Sequence, residues 1–121
     1  MRKQSISKAF INAFNGMRYF FLHERNGKIQ IAIAALVVAS AVGLGVPTMH
    51  VVIVLLCVAM VIGAEMVNCA VENLCNMVQE EYHPVIKVVK DVAAGAVLLI
   101  ALTSTAIGLY IFLPKVFELI A

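Results

Sequence analysis

From Ile29 to Ala64 the chain carries no Lys, Arg, Asp or Glu for 36 consecutive residues, and from Val92 to Pro114 it carries none for another 23. A soluble domain of this size cannot hide that much uncharged chain, whereas a helix of about 20 apolar residues crosses a hydrocarbon layer about 30 Å thick. The first gap is too long for one crossing and is interrupted at "GLGVPTMH". The pattern predicts an all-α membrane protein with three spans, at about 29–46, 49–74 and 92–113, the second projecting beyond the hydrocarbon into water.

Composition agrees, with 63% apolar against 13% charged residues, well away from soluble usage. No linker or repeat divides residues 1–121, so a single membrane domain is expected. Ahead of the spans, Lys8, Asn12, Asn15 and Arg18 alternate with Ile6, Phe10, Phe14, Met17 and Phe21. That spacing predicts an amphipathic helix over about 5–25, lying on the membrane surface rather than acting as a signal peptide.

Six of the nine Lys and Arg residues (Arg2, Lys3, Lys8, Arg18, Arg25 and Lys28) precede the first span, and Lys87 and Lys90 fall between the second and third. The positive-inside rule places both regions in the cytoplasm, with the C-terminus, including Lys115 and Glu118, outside. A net charge of +2 suits anionic lipid headgroups, and no basic face with interleaved aromatics points to nucleic acid. Cys57, Cys69 and Cys75 are odd in number and sit in or near the second span, which argues against disulfides or a zinc site.

The stretch "GAEMVNCAVENLCNMVQEEYHP" carries the chemistry. At about 100° per residue, Glu65, Asn68, Glu72 and Asn76 share one helix face within about 80°. With the second span entering hydrocarbon near Met49, Glu65 falls just inside the cytoplasmic boundary and Glu72 just outside it. An ionisable residue in a span is costly and is expected at a functional site, although bonding to neighbouring helices is the plainer alternative. A general base acting on a hydroxyl at the lipid interface suits Glu65. Glu72 and Glu24, the latter at the end of the surface helix, are placed to share a divalent cation such as Mg²⁺, with substrate phosphates completing its shell. Lys90 and Asp91 at the same edge are placed to handle a polyphosphate, the lysine supplying charge.

Set beside "EEYHP" and "KDVAAGAVLL", these residues resemble the small prokaryotic diacylglycerol kinase family, which includes undecaprenol kinases. The resemblance spans nearly the whole chain: a surface helix ending in Glu, three spans, E-x-x-N-x-x-x-E in the second, E-Y-H in the following loop and K-D before the third. It implies an inner-membrane homotrimer that moves the γ-phosphoryl group of ATP, with Mg²⁺, onto the hydroxyl of a membrane lipid alcohol such as undecaprenol or diacylglycerol. By similarity Glu65 is the catalytic base, at the lipid-substrate side, and Glu24 and Glu72 hold the metal. Asn68, Glu81, Tyr82, His83, Lys90 and Asp91 match nucleotide positions, and Arg18 a substrate-side position. Asn76 stands where the family usually carries Asp; it is expected to reach the same nucleotide region, and Asn76→Asp to lower the Mg²⁺ requirement.

Two other classes fit three spans. A respiratory-complex anchor subunit needs a mid-span His to ligate haem, and His23, His50 and His83 lie at ends or loops. A proton-conducting or purely structural protein would use Glu65 but leave Glu24, Glu72, Lys90 and Asp91 idle.

Overall fold

The computed structural model describes residues 4–121, so Arg2 and Lys3 of the N-terminal basic group lie outside the described residues. Four helices follow in order: α1 (Ile6–His23), α2 (Arg25–Gly43), α3 (Thr48–Val78) and α4 (Pro84–Ile120). α2, α3 and α4 are each long and apolar enough to cross a membrane.

α1 starts where the Ser5 hydroxyl accepts from the Lys8 N–H at 3.2 Å, satisfying one of the orphan donors of a first turn. It stops at Glu24, which is extended (φ −94°, ψ 132°) and serves as C-cap of α1 and N-cap of α2. The Glu24 N–H donates to the Phe20 carbonyl at 3.2 Å, and its own carbonyl accepts from Lys28 at 3.1 Å. The corner is tight because residue 27 is glycine. Phe20 is buried against it, and a Cβ added at Gly27 would overlap the Phe20 carbonyl oxygen.

The break at "GLGVPTMH" is a Schellman turn. Gly45 adopts φ +70°, the left-handed region that glycine enters without steric penalty. Its N–H returns to the Val42 carbonyl at 3.1 Å, and the Val46 N–H returns to Ala41 at 3.3 Å. Pro47 then caps α3. At the other end of α3 the chain reverses through residues 79–83, and the His83 Nδ1 accepts from the Val85 N–H at 3.2 Å to cap α4, with Pro84 at its first position.

At about 1.5 Å per residue, α3 is about 46 Å long and α4 about 55 Å, both longer than the hydrocarbon. Each is therefore long enough to project beyond the hydrocarbon. α4 continues through Pro114 past the expected end of the third span; a proline is accommodated in such helices because local adjustments re-satisfy the freed carbonyl. Within the spans, the Ser40, Thr103 and Thr105 hydroxyls bond carbonyls four residues back at 2.8–2.9 Å, leaving none of them bare in hydrocarbon.

α3 packs most extensively on α4 and next on α2, while α1 packs on α2. Among the described residues, four of the seven buried apolar ones form one cluster at one end of the bundle, where Ala41 and Val46 of the Schellman turn meet Val54 and Ile111; Phe20, Ala34 and Cys75 are buried outside it. Elsewhere the helices present large apolar side chains outward, among them Leu55, Leu56, Met60, Leu98, Leu99 and Leu102. That is the surface hydrocarbon would cover.

Candidate active site

The polar residues lie toward the opposite end, where α3 approaches the α3–α4 turn. Because α3 is continuous from Thr48 to Val78, Glu65, Asn68, Glu72 and Asn76 stack on one face at spacings of three, four and four. Glu65 is half-buried and Asn68 is 8% exposed, while Glu72 and Asn76 are open to solvent. The stripe is thus covered at Glu65 and Asn68 and open at Glu72 and Asn76, nearer the turn.

Asn68 donates from Nδ2 to Glu72 Oε1 at 3.4 Å. Its Oδ1 is buried with no hydrogen-bond partner. A buried amide oxygen left unbonded costs about 1–3 kcal/mol, so the structure presents an acceptor that a donor from outside the single chain would satisfy. Beside it runs an open groove of about 510 Å³, floored by Gly63, Ala64, Ala93 and Ala96 of α3 and α4.

Glu24 is half-buried at the α1–α2 corner. It and Glu72 both lie close enough to the Cys69 thiol to act on it electrostatically, and Glu72 likewise acts on Glu65. Carboxylates from two elements are thus brought to one neighbourhood on α3. Among the described residues no three His, Cys, Asp or Glu side chains form a complete metal cage. Two carboxylates in one neighbourhood are donors that a divalent cation can use when waters and phosphates complete its shell.

Across the turn, α4 contributes Lys90 and Asp91. Lys90 is half-buried and donates from Nζ to Asn76 Oδ1 at 2.7 Å. Asp91 is exposed and pairs with Lys87 at 2.7 Å, one helical turn away. Glu81, Tyr82 and His83 are all exposed in the turn; Tyr82 is 76% exposed, and of the three only His83 makes a side-chain hydrogen bond, as the cap of α4. Arg18 is exposed on α1 and forms no ion pair among the described residues.

Sequence reasoning missed the Asn76–Lys90 bond, because the partners are 14 residues apart on different helices. Nor did it single out Cys69 as the meeting point of Glu24 and Glu72; its place one residue from Asn68 and three from Glu72 was the available signal. A second cavity of about 460 Å³ lies among α2, α3 and α4 near Gln30, Cys57 and Thr105. Its wall is almost wholly apolar and includes none of the carboxylates, so it is no place for phosphate chemistry. His23 ends α1, His50 sits in the first turn of α3 and His83 caps α4. None is near mid-span, where a haem-binding anchor would need one.

A half-buried carboxylate on α3, carboxylates from two elements near Cys69 and a lysine bonded to Asn76 thus lie toward one end of three membrane-length helices. Residues 11–112 match the prokaryotic diacylglycerol kinase family, and the chain belongs to that family. It is similar to the undecaprenol kinase of Bacillus subtilis (strain 168), with 33% identity over 108 residues, covering 89% of this chain and 88% of that one. It is also similar to the diacylglycerol kinase of Synechocystis sp. (strain ATCC 27184 / PCC 6803 / Kazusa), with 32% identity over 112 residues, covering 92% of this chain and 64% of that one. The protein is an integral membrane lipid kinase.

Proposed function

We propose that this kinase transfers the γ-phosphoryl group of ATP, with Mg²⁺, to the hydroxyl of a membrane lipid alcohol of the undecaprenol or diacylglycerol type. The observation that carries the proposal is the polar stripe on α3: half-buried Glu65, buried Asn68 with an unbonded oxygen, and exposed Glu72, which shares the neighbourhood of Cys69 with Glu24. It runs from a lipid-accessible depth into water, as a reaction between a lipid hydroxyl and a soluble nucleotide requires.

In this reading Glu65 accepts the proton of the lipid hydroxyl as its oxygen bonds to the γ-phosphorus and the bond to the β-phosphate oxygen breaks, releasing ADP. Glu24 and Glu72 would hold Mg²⁺, whose charge neutralises that of the phosphates. Lys90 supplies further positive charge to the polyphosphate. Asn68, Glu81, Tyr82, His83 and Asp91 line the nucleotide side, with Asn76 beside Lys90, and Arg18 lies on the lipid-substrate side.

The single domain spans residues 1–121 and works as a homotrimer in the inner membrane. Three thin helices leave Glu65 only half-covered, and a neighbouring subunit's helix against the small-residue groove would complete the enclosure. α1 lies on the cytoplasmic surface with Phe10, Phe14 and Met17, all exposed in the single chain, in the headgroup layer. The N-terminus is cytoplasmic and the C-terminus external.

Glu65→Gln tests the chemistry. It is expected to keep the fold and Mg-ATP binding while lowering turnover by about 10²- to 10⁴-fold, the usual contribution of a general base. Retention of more than half the wild-type turnover removes Glu65 from the mechanism.

A further inference from the structure

Successive residues of the α3 stripe have different partners. Glu72 is bonded by Asn68 and lies toward Cys69 and Glu24, whereas Asn76, one turn on, receives the Lys90 ammonium at 2.7 Å. That bond joins α3 to α4, whereas, among the described residues, the other side-chain contacts of these two helices in hydrogen-bonding geometry stay within one helix or its cap. The two lysines of α4's first turns also differ. Lys87 is neutralised by Asp91, while Lys90 is in no ion pair among the described residues. Its partner is a neutral amide.

We propose that Asn76 is a positioning residue for Lys90, fixing its ammonium at the α3–α4 corner while leaving its full positive charge for a nucleotide polyphosphate. A free lysine side chain carries several rotatable bonds and loses their entropy on meeting a ligand. An amide oxygen that already holds the ammonium removes part of that cost, and, unlike a carboxylate, does not compete with phosphate for the charge. The half-burial of Lys90 sharpens the distinction, since charges there are less screened than on an open surface. The consequence reverses the expectation drawn from sequence alone. With Asn76 facing Lys90 rather than the metal-side carboxylates, Asn76→Asp creates an ion pair with Lys90 and weakens nucleotide binding instead of easing the Mg²⁺ requirement.

The inference rests on Lys90 meeting the polyphosphate, so the experiment includes that residue. Wild type, Asn76→Ala, Asn76→Asp and Lys90→Met, each with its thermal unfolding midpoint recorded, are assayed in lipid-alcohol mixed micelles for the KM of Mg-ATP and kcat at saturating Mg²⁺, then for Mg²⁺ dependence. Lys90→Met is expected to raise KM about tenfold or more, the loss of a charge-assisted contact. Asn76→Asp is expected to raise it about three- to fivefold and Asn76→Ala about twofold, with kcat and the Mg²⁺ midpoint little changed. The order matters, since a merely structural role would make alanine the worse replacement. A KM for Asn76→Asp at or below wild type, or a lowered Mg²⁺ midpoint, overturns the proposal. If Lys90→Met leaves KM unchanged, the assignment of Lys90 falls and takes the proposal with it. A raised KM for Lys90→Met beside an unchanged Asn76→Asp overturns the role of Asn76 alone.

Discussion

At the α2–α3 turn, Ala41, Val46, Val54 and Ile111 close on one another with exposures of 0–7%; at the α3–α4 turn, all of residues 79–83 are exposed and the helices are joined by one lysine–amide bond. The first end is held by apolar packing and a backbone motif. The second is held by polar groups, one of which, the Asn68 oxygen, has no partner. The main apolar cluster and the proposed chemistry thus lie at opposite ends of the same three helices. Phosphate handling requires side chains free to meet a ligand, and interlocked side chains are not free. The side of the carboxylates has fewer packed points: Cys75, Asn68 and the close Phe20–Gly27 corner next to Glu24.

That corner gives the largest expected effect on stability. Gly27→Ala places a methyl group where the Phe20 carbonyl stands, and neither backbone can yield without opening the α1–α2 junction. A cost of about 1–3 kcal/mol in stability is expected, typical of overpacking. Because Glu24 lies in the same turn, the Mg²⁺ midpoint should rise as well. An unfolding curve and metal titration matching wild type would show that the corner does not fix Glu24.

The packed end makes a sharper contrast with Ile111→Ala. In water such a truncation loses both transfer energy and contacts, but in a bilayer the alternative environment is itself apolar and chiefly the contacts are lost. About 1–2 kcal/mol of stability is expected to go, on the low side of the aqueous range. Turnover per folded molecule should stay at the wild-type value. A fall in turnover without a fall in stability would erase the division between the two ends.

Smaller in energy, but specific to the polar end, are Glu24→Gln and Glu72→Gln. Each is expected to raise the Mg²⁺ concentration for half-maximal activity about five- to tenfold, since one of two carboxylates is lost while phosphates and waters remain. Stability should be nearly unchanged for Glu72, which is exposed. Either variant with a wild-type Mg²⁺ titration is not a metal partner.

The two ends also differed in how far the sequence revealed them. The uncharged gaps and the glycine–proline break placed α2, α3 and their turn within a few residues, because hydrocarbon length and turn geometry are local constraints. The stripe from Glu65 to Asn76 was legible for the same reason, as helical spacing fixes a face. What lay beyond reach depends on how helices meet. The direction Asn76 turns is decided by Lys90 on α4, and the closeness of Glu24 to Cys69 by how α1 and α2 fold back at Gly27. α4 also runs unbroken from Pro84 to Ile120, longer at both ends than the apolar stretch that marked its span.

The central claim, that the polar end moves phosphate from a soluble nucleotide to a membrane alcohol, is tested most directly by following the label. The purified protein is given ATP labelled at the γ-phosphate, with Mg²⁺, in mixed micelles containing undecaprenol, diacylglycerol or neither, and the lipid phase is extracted and counted. Label should pass into the lipid phase with at least one of the two alcohols, stay in water when both are omitted, and stay there again when Mg²⁺ is chelated. Failure of label to reach either alcohol in a folded, Mg²⁺-supplied preparation, or transfer undiminished by chelation, would contradict the account.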